Sequence, residues 1–148
     1  MTTTEVLSAP HFMEFPYTRS TGPMVGAFLT GLRDKRVLGV RDSTGRVVVP
    51  PPEYDAKTAA ALPVDELVEV ASEGVVTSWS WTPKPRLGQP FEQPFAWALV
   101  QLDGADTGLL HALDAPREQI RTGMRVRIRW ADETVGFIND IACFEALS

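Results

Sequence analysis

Six residues near the C-terminus, Arg125-Val126-Arg127-Ile128-Arg129-Trp130, alternate charged and apolar positions without a break. Successive side chains of a strand point to opposite faces, so this period of two predicts a half-buried β-strand. Its arginines share one face and Val126, Ile128 and Trp130 the other. A strand of this kind needs partners, and the residues around it supply them. Residues 67–71 and 75–81 read as one long or broken strand bent near Gly74, and Phe95–Leu102 is nearly continuous apolar strand. Residues 107–113 follow the turn Asp103-Gly104-Ala105-Asp106, and 137–144 form the last strand. A helical turn over 116–121, closed by Gly123, precedes the arginine strand. About five strands, the first long and a short helical piece before the fourth, predict a Greek-key barrel of the OB type over 67–148.

The N-terminal third reads differently. Residues 1–21 form an irregular arm with Phe12, Phe15 and Tyr17 close to Pro10 and Pro16; it docks on its own domain or a partner, or is a frayed tail. Over 22–34, Met24, Val25, Phe28, Leu29 and Leu32 recur at helical spacing. Thr21 or Ser20 is the expected cap, and Pro23 suits an early helical position. Strands at Val37–Arg41 and 46–49 flank Asp42-Ser43-Thr44-Gly45, a hairpin turn. Pro50-Pro51-Pro52 then forces extended chain, and 53–66 is loop with one helical turn. The expected divisions are thus an arm (1–21), a helix with a hairpin segment (22–66) and the barrel (67–148).

The totals narrow the function. A chain of 148 residues, 44% hydrophobic and 22% charged, can bury a core without disulfides, as one domain or one with a small appendage. Net charge −5 makes it a poor generic partner for phosphate backbones. No apolar run of eighteen is present, so no membrane span is expected. Met1-Thr2-Thr3-Thr4-Glu5 does not open a signal peptide, and the single cysteine, Cys143, suits a reducing cytoplasm.

Motifs for chemistry are missing. With two histidines and one cysteine there is no paired C-x-x-C, no H-E-x-x-H and no EF-hand loop, so no metal is expected. There is no G-x-S-x-G, no phosphate-binding glycine loop and no dinucleotide fingerprint. His111 sits within Leu109-Leu110-His111-Ala112-Leu113, a setting more typical of a hydrogen-bonded core or interface residue than of a catalyst. Cys143, between Ala142 and Phe144, reads as a small buried hydrophobe.

The order of features carries a resemblance. A helix leads to Arg36-Val37-Leu38-Gly39-Val40-Arg41, then Thr44-Gly45-Arg46-Val47-Val48-Val49-Pro50-Pro51, a linker and the barrel. From about residue 20 onward this resembles the family called domain of unknown function thirty-five, a rubredoxin-like zinc ribbon joined to an OB-fold. The family's two C-x-x-C pairs would fall on Arg41 and Thr44 and near Asp55 and Thr58, none of them cysteine. The resemblance therefore implies a vestigial, metal-free ribbon held by packing of its hairpin. Tyr17-Thr18-Arg19-Ser20, Pro50-Pro51-Pro52-Glu53-Tyr54-Asp55, Trp79-Ser80-Trp81, Pro94-Phe95-Ala96-Trp97-Ala98-Leu99 and Leu109-Leu110-His111-Ala112 look like the subgroup tied to actinobacterial steroid side-chain degradation.

In that subgroup the domain is often the C-terminal part of an enoyl-CoA hydratase subunit and binds a thiolase-fold lipid-transfer protein acting as a retro-aldolase on a steroid acyl-CoA. The resemblance implies an accessory subunit with no catalytic residue and no cofactor of its own, in a two-plus-two heterotetramer whose substrate is a coenzyme A thioester. No hydratase domain accompanies it, so the chain is a free-standing homologue or an excised domain, and its Met start favours the first. Trp79, Trp81, Phe95 and Trp97 are the expected partner anchors, with at least two of them filling the barrel. Lys84 and Arg86 on the proline-rich 82–94 loop are candidate contacts for coenzyme A phosphates, although two solvated charges are the commoner state. One face of Phe95–Leu102 lies outside the barrel and needs a cover: ribbon, helix or partner. Two alternatives stand beside this reading. One is single-stranded nucleic-acid binding through the aromatics and the arginine stripe. The other is a small independent enzyme using His111.

Overall fold

The computed structural model describes residues 6–147. A single α-helix, α1 (Pro23–Arg33), is followed by β1 (Val37–Arg41), β2 (Val47–Val48), β3 (Leu67–Val70), β4 (Glu73–Thr82), β5 (Phe95–Leu102), β6 (Gly108–Asp114), β7 (Arg125–Trp130) and β8 (Ile141–Ala146). Short 3₁₀ turns at Val64–Glu66, Arg117–Gln119 and Ile138–Asp140 precede β3, β7 and β8. Strands β4-β5-β6-β8-β7 close into a barrel, with β6 and β8 parallel and the other pairs antiparallel. That order, with the 3₁₀ turn between the third and fourth barrel strands, is the OB-fold.

The stretch expected as one broken strand is two strands in two sheets. β3 pairs with β1 in a separate sheet of order β2-β1-β3, while β4 opens the barrel. The chain changes sheet at Ala71-Ser72, between Ala71 N donating to Asp103 O and Ile128 N donating to Ser72 O. The expected last strand also divides, into the 3₁₀ turn and β8.

A bulge decides what fills the barrel. The register of β4 against β5 shifts between Val76 and Ser78. Val76 faces inward opposite Val100, and after the extra residue Trp79 and Trp81 lie opposite Ala98 and Ala96. One inserted residue reverses strand parity, so the tryptophans and not Ser78 and Ser80 turn to the core. Alanines on β5 make room for those rings.

The small sheet shares that core. Phe28, Leu32, Val37, Val47, Val49 and Val70 pack in one cluster with barrel residues including Leu102, Leu109, Leu113 and Phe144. The free edge at β2 is closed by the β5–β6 turn. Val47 N donates to Asp106 Oδ2 (2.8 Å), Asp106 N to Val47 O (2.8 Å) and Val49 N to Thr107 Oγ1 (2.8 Å). An edge strand thereby loses its unpaired backbone groups.

Helix α1 is capped from afar. Gly22, and not Thr21 or Ser20, is the N-cap, and its residue type offers no side-chain acceptor. Glu53 supplies one instead: its carboxylate accepts from Met24 N (3.2 Å) and Val25 N (2.9 Å). A carboxylate there satisfies orphan donors and complements the helix dipole. A Cβ at Gly22 would overlap that carboxylate.

At the ribbon, Arg41 and Thr58 approach a cleft of about 440 Å³ that Asp55 also lines. The Asp55 side chain joins the two loops. It accepts from Ser43 N on the first loop and from Lys57 N and Thr58 N on its own, each at 2.8 Å. Those N–H groups, Ser43 first, hold its carboxyl well below the usual carboxylate range. Packing of the hairpin is therefore not the ribbon's whole support; a carboxylate crosslink supplements it. No cluster of His, Cys, Asp or Glu able to hold a metal occurs among the described residues.

Candidate partner-binding site

The four expected aromatic anchors do not form one cluster. Trp79 and Trp81 pack against the main core from the inner side of β4. Phe95 and Trp97 lie on a second cluster, with Ala112 of β6 and Cys143 of β8. Phe91 of the 82–94 loop folds back over this cluster, its ring 5.5 Å from Phe95, which stands 5.3 Å from Trp97. The outer face of β5 is thus covered in part by the chain's own loop, a cover that the sequence reading did not name. Phe95 is fully buried beneath it and Trp97 half-buried. Beyond Trp97 the face continues as Leu99 opposite Leu110, the latter 61% exposed.

Lys84 and Arg86 are exposed on the same loop, and neither forms an ion pair among the described residues. Arg86 N donates to Gln89 Oε1 (2.8 Å), which shapes the loop's tip.

The arginine stripe is neutralised within the chain. Arg125 forms a two-pronged pair with Asp103 (2.7 and 2.6 Å). Arg127 pairs with Glu145 (2.9 Å), and Arg129 with Asp114 (2.8 Å) and Glu145 (3.2 Å). Arginines engaged in this way are poor phosphate-tracking groups, which weakens the nucleic-acid reading.

His111 points inward from β6, 7% exposed, edge-on to Phe144 at 6.3 Å. Its Nδ1 accepts from Ala112 N (2.9 Å). Burial pushes its pKa down, opposed by backbone hydrogen bonds at Ile138 and Ala112. Cys143 is fully buried, and burial pushes its thiol up to about 11. A thiol so placed is a packing group.

The arm is exposed throughout residues 6–20, with Phe12 90%, Phe15 75% and Tyr17 82% exposed. Sequence reasoning missed the β7–β8 loop, which carries exposed Val135 and Phe137 above the buried Asp140. The signal was present as an aspartate just after a glycine-containing apolar stretch, but it was absorbed into the expected strand.

Residues 67–131, from β3 through β7, match the family described as ChsH2, C-terminal OB-fold domain. A protein of unknown function from the DUF35 family of Sulfolobus solfataricus is 24% identical, with TM-score 0.57, over 72% of this chain and 76% of that one. The Ltp2-ChsH2(DUF35) aldolase includes a chain 20% identical, with TM-score 0.63, over 87% of this chain and 98% of that one. Both share the fold. No curated protein matches the chain in sequence. No helix among the described residues is long and apolar enough to cross a membrane.

Proposed function

We propose that this chain is an accessory subunit of an acyl-CoA retro-aldolase of steroid side-chain degradation, whose thiolase-fold, lipid-transfer-protein-type partner carries the catalytic groups. The carrying observation is the likeness to a chain of the Ltp2-ChsH2(DUF35) aldolase over nearly its full length, joined to the ChsH2-type barrel. The state of the polar groups supports a binding role. Asp55 holds backbone amides, the three arginines of β7 are paired, and His111 and Cys143 are packing groups.

In this reading Trp97, with Leu99 and Leu110, meets the partner, Phe95 supports them from beneath, and Trp79 and Trp81 stiffen the barrel wall behind. Lys84 and Arg86 offer two exposed cations on a loop pinned at Phe91, suited to coenzyme A phosphates at the subunit junction. The complex is a two-plus-two heterotetramer in the cytoplasm.

The test is reconstitution. Cleavage of a steroid acyl-CoA aldol is measured with an Ltp2-type partner alone and with both chains. Activity needing both supports the proposal, and Lys84→Ala with Arg86→Ala then raises KM for the thioester while kcat holds. Full activity of the partner alone overturns it.

A further inference from the structure

Two loops of the ribbon segment repeat one hydrogen-bonding plan. In the first, Asp42 N donates to Arg46 O (2.9 Å) and Gly45 N to Asp42 O (2.9 Å). In the second, Asp55 N donates to Ala60 O (2.8 Å) and Ala59 N to Asp55 O (2.9 Å). Each loop turns through a residue of positive φ, Gly45 at +84° and Ala59 at +58°. Each is headed by an aspartate whose Oδ1 accepts from the amide two positions on, Thr44 N (2.9 Å) and Lys57 N (2.8 Å).

The two aspartates differ in reach. Asp42 Oδ1 also accepts from Thr44 Oγ1 (2.6 Å) and Arg46 N (3.0 Å), all within its own loop. Asp55 is 4% exposed and serves both loops. Its Oδ1 holds Lys57 N and Thr58 N, and its Oδ2 holds Ser43 N of the first loop, each at 2.8 Å. The donors of both loops thus converge on one buried anion, and hydrogen bonds to an ionised acceptor are the strong kind.

A zinc ribbon has the opposite polarity. Its centre is a cation, on which loops converge with thiolate or imidazole ligands. The residues here do not fit such an ion. Arginine or threonine stands at 41, 44 and 58, where the ribbon pattern needs cysteine. The inward carboxylate is engaged by amides on both oxygens. Arg41, whose Nη1 donates to Gly45 O (3.0 Å), lines the same cleft as Asp55. A divalent ion brought there would meet the positive ends of N–H dipoles and a fixed guanidinium.

We propose that the Asp55 carboxylate is the organising centre of this ribbon, an anion gathered by N–H groups from both loops in the role that a metal ion plays in a zinc ribbon, and that the ribbon takes no zinc. The only cysteine, Cys143, lies in the barrel. The ribbon's integrity is therefore indifferent to chelation and to thiol oxidation.

Two measurements test this. The intact chain is assayed for metal content, and its thermal midpoint is read alone, with excess EDTA and with added zinc. No bound zinc and one common midpoint are expected; bound zinc, or a midpoint that EDTA lowers, overturns the proposal. Amide hydrogen exchange is then compared between the intact chain and Asp55→Ala, with Asp55→Asn in its place if the alanine variant does not fold. Exchange at Ser43, Lys57 and Thr58 is expected to quicken together, on the order of 10-fold or more. Asp42→Ala is expected to quicken Thr44 and Arg46 and to leave those three protected. Ser43 stands 12 positions from Asp55, so it separates a common centre from a local turn. Quickening confined to Lys57 and Thr58 would mean that the carboxylate shapes its own loop alone, and would overturn the proposal.

Discussion

Replacing Asp140 with alanine removes the acceptor of three amides at 2.7–3.1 Å while leaving the barrel core untouched. Hydrogen bonds to a charged group contribute about 1.5–3 kcal/mol each when fully buried. Here the tip lies at the surface, and water re-satisfies part of what the carboxylate releases. The net loss is therefore about 2–4 kcal/mol. A chain of 148 residues unfolds with an entropy near 0.3 kcal/mol/K, which converts this to a fall in Tm of about 6–13 °C. Asp140→Asn keeps the shape and one acceptor oxygen, so it is expected to lose about half as much. The pH dependence has a definite sign. Burial pushes the Asp140 pKa up, but the amides of Val135, Gly136 and Phe137 outweigh it and hold the carboxyl below its ordinary value. Its contribution is then complete above the unfolded-state pKa of about 3.9 and is lost as pH falls through the folded value. Calorimetry at pH 7 and pH 3 reads both effects, and hydrogen exchange at residues 135–137 reads the local one. A Tm within about 2 °C of the parent, with exchange at 135–137 unchanged, would refute the claim that this carboxylate fixes the loop.

Asp55→Asn is expected to lower the thermal midpoint and to open the 42–58 loops to limited proteolysis before the barrel yields; equal cleavage rates would remove its crosslinking role. Its stabilisation too is present above the ordinary aspartate pKa and fades in acid, because the folded pKa is depressed. Gly74→Ala would set a Cβ onto the Gln101 carbonyl oxygen and 2.7 Å from Leu102 Cα, so β4 and β5 must part at that point. Urea denaturation should show a loss of about 1–3 kcal/mol or more, and an unshifted midpoint would mean that the strands are not so closely apposed. Cys143, with its thiol at about 11 and no exposure, should resist alkylation at pH 8 until the chain unfolds; rapid labelling of the native protein would contradict its burial.

The barrel was legible because its strands carry their own signals. The alternation of 125–130 and the apolar run of β5 each fix an element without help from distant residues. What escaped depended on contacts far apart in sequence. Nothing local distinguishes 67–70 from 73–82 as members of different sheets; the pairing of Val37–Val40 with Leu67–Val70 decides that. The parity of Trp79 and Trp81 rests on a single bulge residue. Glu53 caps a helix about thirty positions earlier, and no cap pattern read along α1 could name it. The covering of Phe95 by Phe91 required the proline-rich loop to turn back on the barrel, which composition alone does not reveal. Exposed Phe137 and Ile138 fall inside the expected 137–144 strand because strand and pre-shaped loop share the same residue types.

Size-exclusion chromatography with light scattering on this chain mixed with an Ltp2-type thiolase-fold protein tests the central claim most directly. A single peak whose mass equals two copies of each chain is the predicted result. Separate elution of the two proteins, each at its own mass, would contradict it.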